Sequence, residues 1–421
     1  MTSALKTDRY ELTMLDAALT SGNADKQVVF EVFTRALPPG RRFGVFAGVG
    51  RLIEEIKNFR FLEEQLEFLK DERIVSEQTI NYLKSYSFSG EIEGFQEGEI
   101  YFGNSPVLTV TGSFAECVVL ETLVLSILNY DSAVASAAAR MRIAAGDRKL
   151  IEMGSRRANE DAAVAAARAS YVSGFDATSN LLAQFKYGIP TLGTSGHAFT
   201  LLFDSEKEAF QAQLAAMGEN TTFLVDTFDV DYAVKTAVEL TNGKLGNVRI
   251  DSGDLNETAN RVRKQLDSLG AKKTKITVTN DLDEDAIASL ASAPVDNYGV
   301  GTSLVTGSGA PTAGFVFKMV SKLGAEDWTD VSKKSEGKSN LPGKKQASRV
   351  VENGIATRDV VSTSEIEIGR PLQVSYMQQG RQLVEADLAK ARRRFADSLS
   401  ELPASSKRLS DGEPSLRVTT S

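Results

Sequence analysis

The sequence predicts an α/β protein built on a parallel (β/α) barrel, irregular or incomplete, and three observations carry that expectation. From about residue 148 onward, short apolar runs recur, each ending in small or polar residues and several followed by a helical stretch. Strands alternating with helices mark βα units, which assemble into a parallel sheet. Six or seven such units in series favour a barrel over an open doubly wound sheet. Alanine-rich stretches at 132–145 and 160–172 supply strong helix formers to pack outside it. The chain has 421 residues, enough for two domains or one barrel with additions.

Taken in order, residues 28–33 are rich in β-branched and aromatic side chains and predict a strand, broken by Pro38-Pro39-Gly40. Residues 43–48 predict a second strand, leading into an amphipathic helix over 49–59. More strands are expected within 91–112. The barrel series then runs through 150–153, ending at Gly154-Ser155-Arg156-Arg157, through 176–180, and through 189–192, ending at Gly193-Thr194-Ser195-Gly196-His197. It continues through 222–225, 248–250, 275–278 and 297–300, which end at Asp226-Thr227, Asp251-Ser252-Gly253-Asp254, Thr279-Asn280-Asp281 and Gly301-Thr302. Residues 326–349 read as a lysine-rich loop around Pro342-Gly343, 373–377 as a strand, 383–399 as a helix and 411–421 as irregular.

The net charge of −8 argues against nucleic acid or an anionic membrane surface as partner. Cys117 is the single cysteine, so no intrachain disulfide or cysteine zinc site is available, and a reducing interior is expected. No apolar signal-peptide stretch stands at the start, and the apolar region 117–128 is interrupted by Glu121 and too short to span a bilayer. A cytoplasmic location is the expectation.

In a parallel barrel all the polar strand endings share one rim, where active sites are built. The unique histidine, His197, lies in one of these endings, flanked by glycines and hydroxyls. Arg249 and Asp251 alternate on one strand and so face the same side. Arg249 suits an anionic ligand, and Asp251 or Asp254 suits Mg²⁺ or hydroxyl groups. Gly299, Gly301 and Thr302 offer backbone N–H groups and a hydroxyl to a phosphate, with Arg156 and Arg157 adding charge. Lys333, Lys334, Lys338, Lys344, Lys345 and Arg349 make a solvated loop or a polyphosphate site. A Rossmann fingerprint is lacking, since Leu304 replaces the third glycine after Gly299-Val300-Gly301. So is a Walker A loop, since Ser332 stands where its first glycine is needed. One histidine and one cysteine also exclude histidine metal clusters and Cys–His nucleophile pairs.

These motifs, together with Thr7-Asp8-Arg9-Tyr10-Glu11-Leu12-Thr13-Met14, Thr178-Ser179-Asn180 and 334–346, resemble the nicotinate phosphoribosyltransferase family from Thr7 to the C-terminal region. The resemblance implies that nicotinate and 5-phosphoribosyl 1-pyrophosphate give nicotinate mononucleotide and pyrophosphate, with coupled ATP hydrolysis. It implies that His197 is phosphorylated by ATP. Thr194, Arg249 and Tyr10 would hold nicotinate, Tyr10 stacking from the partner subunit of a homodimer with shared sites. Thr302 would contact the phosphoribosyl donor. Lys334, Lys338 and Lys345 remain candidates for ATP or pyrophosphate, with Mg²⁺ as the metal. The family fold adds an α/β domain formed from both chain ends, so the expected division is 1–130, a barrel domain of 131–325, and a returning segment of 326–421.

Rival readings are a nicotinamide or quinolinate phosphoribosyltransferase and a non-catalytic NAD-metabolite sensor. The nicotinamide enzymes carry aspartate where Ser179 stands. A carboxylate there would repel that of nicotinate by about 4 kcal/mol at 4 Å and an effective dielectric of 20. Serine removes the repulsion and favours nicotinate.

Overall fold

The computed structural model describes residues 3–333, 341–414 and 416–420. Two compact units appear, one of residues 1–136 and 310–421 and one of 137–309. The first unit thus joins both chain ends, as expected. The barrel unit stops at Gly309 rather than 325, because Val316–Leu323 pairs antiparallel with Gln27–Phe33 and belongs with the termini.

The first unit is organised by a seven-stranded antiparallel sheet. Its order is Trp328–Asp330, Val316–Leu323, Gln27–Phe33, Leu108–Ser113, Glu91–Phe95, Gln373–Gln378 and Arg381–Gln382. Gln27–Phe33 is buried at every position after Gln27, which explains why its sequence is a continuous run and not an alternating one. Phe30 stacks on Phe317 with ring centroids 4.6 Å apart. The helix Val49–Asn58 buries Val49, Leu52, Ile53 and Ile56, the spacing of one helical face. Gly48 precedes it at φ +97°, where a Cβ would lie 2.8 Å from that of Asp131. Glycine meets both demands.

Several local expectations changed. The strand at 43–48 contracts to Gly44–Val45, paired with Ile100–Tyr101. The expected loop 326–349 contains Trp328–Asp330 and the start of Gln346–Glu352. The irregular tail includes Arg417–Thr420, a strand parallel to Ile355–Ser362. The terminal helix is Leu388–Glu401, starting where the Asp387 side chain accepts a hydrogen bond from the Lys390 N–H at 2.9 Å. The apolar region at 117–128 runs into the 25-residue helix Glu121–Ala145, which is long and apolar enough to cross a membrane by length and composition. However, 72% of that window is buried inside the structure, the mark of a core helix.

The second unit carries six parallel strands: β1 (Lys149–Glu152), β2 (Ala177–Thr178), β3 (Thr222–Leu224), β4 (Asn247–Ile250), β5 (Lys275–Val278) and β6 (Asn297–Val300). Their order is β2-β1-β6-β5-β4-β3. First and last strands pair, and the others follow in sequence, which is the cyclic order of a barrel left open between β2 and β3. The expected strand at 189–192 contributes only a bridge from Thr191 to Thr178, so the seam lies beside the His197 loop. Most helices between strands start at side-chain caps. Asn159, Asn180, Ser205, Asp229 and Asp254 each accept a hydrogen bond from a backbone N–H two or three residues on.

Candidate active site

Because the six strands run parallel, their C-terminal ends deliver the polar residues to one rim. A cleft there is lined by Met153, Arg156, Arg249, Asp251, Asn280 and Thr302, with Gly299 and Gly301 in its wall. Gly299 has a packing reason as well: a Cβ would meet the Thr279 methyl at 2.5 Å and the Met153 sulfur at 2.7 Å.

Arg249 is the penultimate residue of β4, with a largely buried guanidinium. Its Nη1 donates to Thr194 Oγ1 at 2.7 Å and to the Ser195 carbonyl at 3.3 Å, and its Nη2 lies 3.5 Å from Asp251 Oδ2. Its Nε is buried without a partner among the described residues. Asp251 faces the same side, as the strand alternation requires, and Oδ2 sits 3.7 Å from His197 Nε2. The other carboxylate oxygen accepts from the Thr279 hydroxyl, at the end of β5. His197 opens a short helix, His197–Thr200, and its Nδ1 lies 3.2 Å from Thr227 Oγ1, just beyond β3. Asp226 braces the assembly: its Oδ2 accepts from the Asp251 N–H at 2.8 Å and the Ser252 hydroxyl at 2.6 Å. Loops after two strands, β3 and β4, therefore flank one imidazole, and the end of β5 braces the second of them.

On the other side of the seam, Glu152 ends β1 with no exposure and accepts from the Gly154 N–H and the Thr178 hydroxyl. Burial raises its pKa above the usual carboxyl value, against the pull of those hydrogen bonds. Ser179 is exposed, its N–H held by the Glu152 carbonyl at 2.8 Å, and Asn180 donates to Ser155 Oγ at 3.0 Å. The Arg156 loop and the Ser179 loop are thus tied together. After β5, Asn280 and Asp281 adopt φ +105° and +44°. Such backbone costs of order 1–3 kcal/mol per residue and clusters at working sites.

Other expected residues lie elsewhere or are already engaged. Asp254 caps the helix Leu255–Ser268, accepting from the Glu257 N–H at 2.9 Å. Asp251 has a cationic neighbour, and no group of three His, Cys, Asp or Glu fit for a metal exists among the described residues. Tyr10 belongs to the first unit, on the helix Arg9–Thr20, and is 44% exposed. Partial burial and then the Glu121 and Glu11 carboxylates push its phenol above the usual tyrosine range. Lys345 is buried, its ammonium 2.7 Å from Glu31 Oε2 and donating to the Leu341 and Gly343 carbonyls. Arg349 is fully buried against Asp359 and Glu99. Both are structural anchors in the first unit, since burial has paired charges that the sequence presented as a solvated cluster. Lys344 pairs with Glu93 at 2.7 Å. Lys334 and Lys338 lie outside the described residues.

Asp226, Thr227 and Thr279 stand among the polar strand endings that the sequence places on the rim, but nothing in the sequence assigns them a role. Glu152, the last residue of β1, carries no such signal because it lies inside its apolar run.

Comparison with known proteins accords with this geometry. Residues 5–129 match the model of the nicotinate phosphoribosyltransferase N-terminal domain, and 148–364 match that of the nicotinate phosphoribosyltransferase family. A nicotinate phosphoribosyltransferase of Mycobacterium tuberculosis is 50% identical over 432 residues, covering 99% of this chain and 95% of its own. One from Bacillus subtilis is 36% identical, covering 83% and 73%. The crystal structure of human nicotinic acid phosphoribosyltransferase superposes with a TM-score of 0.85 at 26% identity, covering 99% and 97%. This chain belongs to the nicotinate phosphoribosyltransferase family.

Proposed function

We propose that the protein joins nicotinate to the phosphoribosyl group of 5-phosphoribosyl 1-pyrophosphate, releasing pyrophosphate and forming nicotinate mononucleotide for NAD synthesis. ATP hydrolysis is coupled through a phosphohistidine, a ligase-type reaction. The observation that carries this reading is the Arg249–Thr194 pair joined through Asp251 to His197, with Arg249 and Asp251 lining the cleft. A planar fork with a hydroxyl beside it suits a ring carboxylate, and Arg249 Nε still lacks an acceptor. The pyridine nitrogen then attacks the ribose C1 as its bond to pyrophosphate breaks. Arg156, Thr302 and the backbone around Gly301 face the donor's phosphates.

In the ATP half-reaction, Asp251 stands on the Nε2 side of His197. Accepting the Nε2 proton, it leaves the Nδ1 lone pair to take the γ-phosphoryl group as ADP departs, once Thr227 yields its place. Water later takes the phosphoryl group as inorganic phosphate, and Asp251 returns the Nε2 proton to the imidazole. Mg²⁺ is then carried by polyphosphate oxygens, which it prefers to a lone carboxylate.

A homodimer completes the reading, with Tyr10 of the partner subunit over the pyridine face. Its support is apolar exposure beside the open seam: Leu181, Phe185, Leu201, Leu202, Phe228 and Tyr232 are all more than half exposed. A reducing cytoplasm suits a chain with one buried thiol.

Pure protein is incubated with the sugar donor, Mg²⁺ and nicotinate, nicotinamide or quinolinate, with and without ATP. Nicotinate turnover stimulated by ATP is expected. Preference for another base overturns the substrate assignment, and no turnover with any base makes the protein a sensor.

A further inference from the structure

Glu206 is a buried carboxyl that the proposed chemistry leaves unused. It opens the helix Glu206–Met217 behind the cap Ser205, is 4% exposed, and neither of its oxygens has a hydrogen-bond partner among the described residues. The charges facing it are the carboxylates of Asp229 and Asp226, both on the segment after β3. Lys207 and Glu208, on its own helix, are exposed. Asp226 has spent Oδ2 on Asp251 and Ser252, while its Oδ1 is buried without a partner. Asp229 is committed to the Tyr232 N–H at 2.7 Å.

A buried carboxylate facing two others favours a neutralising cation or a proton. No three-ligand metal group exists among the described residues, which leaves the proton. Burial, then Asp229 and Asp226, push the Glu206 carboxyl up to about 7. Its neighbours hold the reacting imidazole from both sides: Thr227 touches Nδ1, and Asp226 pins the backbone of Asp251, which faces Nε2.

We propose that Glu206 is a proton-bearing positioning residue: protonated, it lets the 226–229 segment clasp His197 and Asp251, and ionised, it repels Asp226 and Asp229 and slackens that clasp. The inference rests on His197 being the reacting group only for its effect on turnover. The effect on the segment itself stands apart.

Two readouts test it across pH 6 to 8. Hydrogen exchange of residues 225–229, corrected for the intrinsic pH dependence of exchange, should show protection falling in wild type and constant in Glu206→Gln. ATP-coupled turnover, each variant normalised to its own maximum, should fall about tenfold in wild type, the drop in protonated fraction for a group near 7, and stay flat in Glu206→Gln. Glu206→Met, similar in volume and unable to titrate, should match Glu206→Gln and serves if that variant misfolds. Superposable wild-type and variant exchange profiles overturn the proposal. So does Mn²⁺ restoring protection at pH 8 in wild type alone, which would mean a bound cation. If exchange responds as expected but His197 is never phosphorylated, the coupled-ATP reading fails and the Glu206 assignment stands.

Discussion

Replacing Arg249 by lysine keeps the positive charge and removes the planar fork. In the structure the guanidinium reaches three groups: Thr194 Oγ1 at 2.7 Å, the Ser195 carbonyl at 3.3 Å and Asp251 Oδ2 at 3.5 Å. A lysine ammonium is a point charge that cannot hold all three and also present two parallel N–H groups to a carboxylate. The interaction lost is one hydrogen bond to a charged group, roughly 1.5–3 kcal/mol. At 1.4 kcal/mol per tenfold, the Michaelis constant for nicotinate should rise about 10- to 150-fold. That for ATP should move by less than about threefold, because the Nδ1 face of His197 is lined by Thr227. Steady-state kinetics with each substrate varied in turn supply both constants. Thr194→Ala, alone and combined with Arg249→Lys, completes a cycle in which a coupling of at least about 0.5 kcal/mol is expected for groups in contact. Wild-type constants for both substrates, or equal rises in both, would refute a nicotinate-specific role and make Arg249 a structural strut.

His197→Ala should abolish acid-labile labelling by γ-phosphate from ATP and ATP stimulation while keeping the circular dichroism spectrum, since the half-exposed ring contacts only the site; equal labelling of both proteins sinks the assignment. Ser179→Asp should shift the nicotinate-to-nicotinamide efficiency ratio by more than about tenfold, or 1.4 kcal/mol, and a smaller change means the side chain does not face the base. Arg349→Met strands Asp359 as a buried unpaired carboxylate, while Glu99 keeps Arg370 at 2.7 Å, so calorimetry should show a loss of about 3–5 kcal/mol; a loss below about 1 kcal/mol means water reaches Asp359. Glu206 keeps its proton in the folded state above the pH at which an unfolded glutamate ionises, so the folded form binds more protons and loses stability as pH rises from about 4.5 to about 7. Thermal melts of Glu206→Gln should accordingly gain on wild type across that window and level above it, and a constant offset would show that Glu206 is already ionised when folded.

The barrel was legible in one dimension because a parallel βα repeat places every strand's C-terminal end on the same rim. The polar endings of the apolar runs therefore place Asp251, His197, Arg156 and Thr302 on one rim, with Arg249 just inside its strand. The alternation of a strand likewise put Arg249 and Asp251 on one side, where they lie 3.5 Å apart. What periodicity lacks is which strand lies beside which, and therefore which neighbour each polar residue meets. Asp251 is braced by Asp226, 25 residues back, and by Thr279, 28 residues ahead, and only the order β5-β4-β3 brings them together. Burial is also a property of the assembled sheets. Lys345 and Arg349 carry the same formal charge as a solvated cluster, and they became anchors because Gln346–Glu352 packs into the first unit beside Glu31, Glu99 and Asp359. Arg417–Thr420 is a strand only because Ile355–Ser362 offers it an edge. Local chemistry determined which groups this chain has to offer. Tertiary packing decided which of them remain unpaired for a ligand, because desolvation and proximity depend on neighbours far away in sequence.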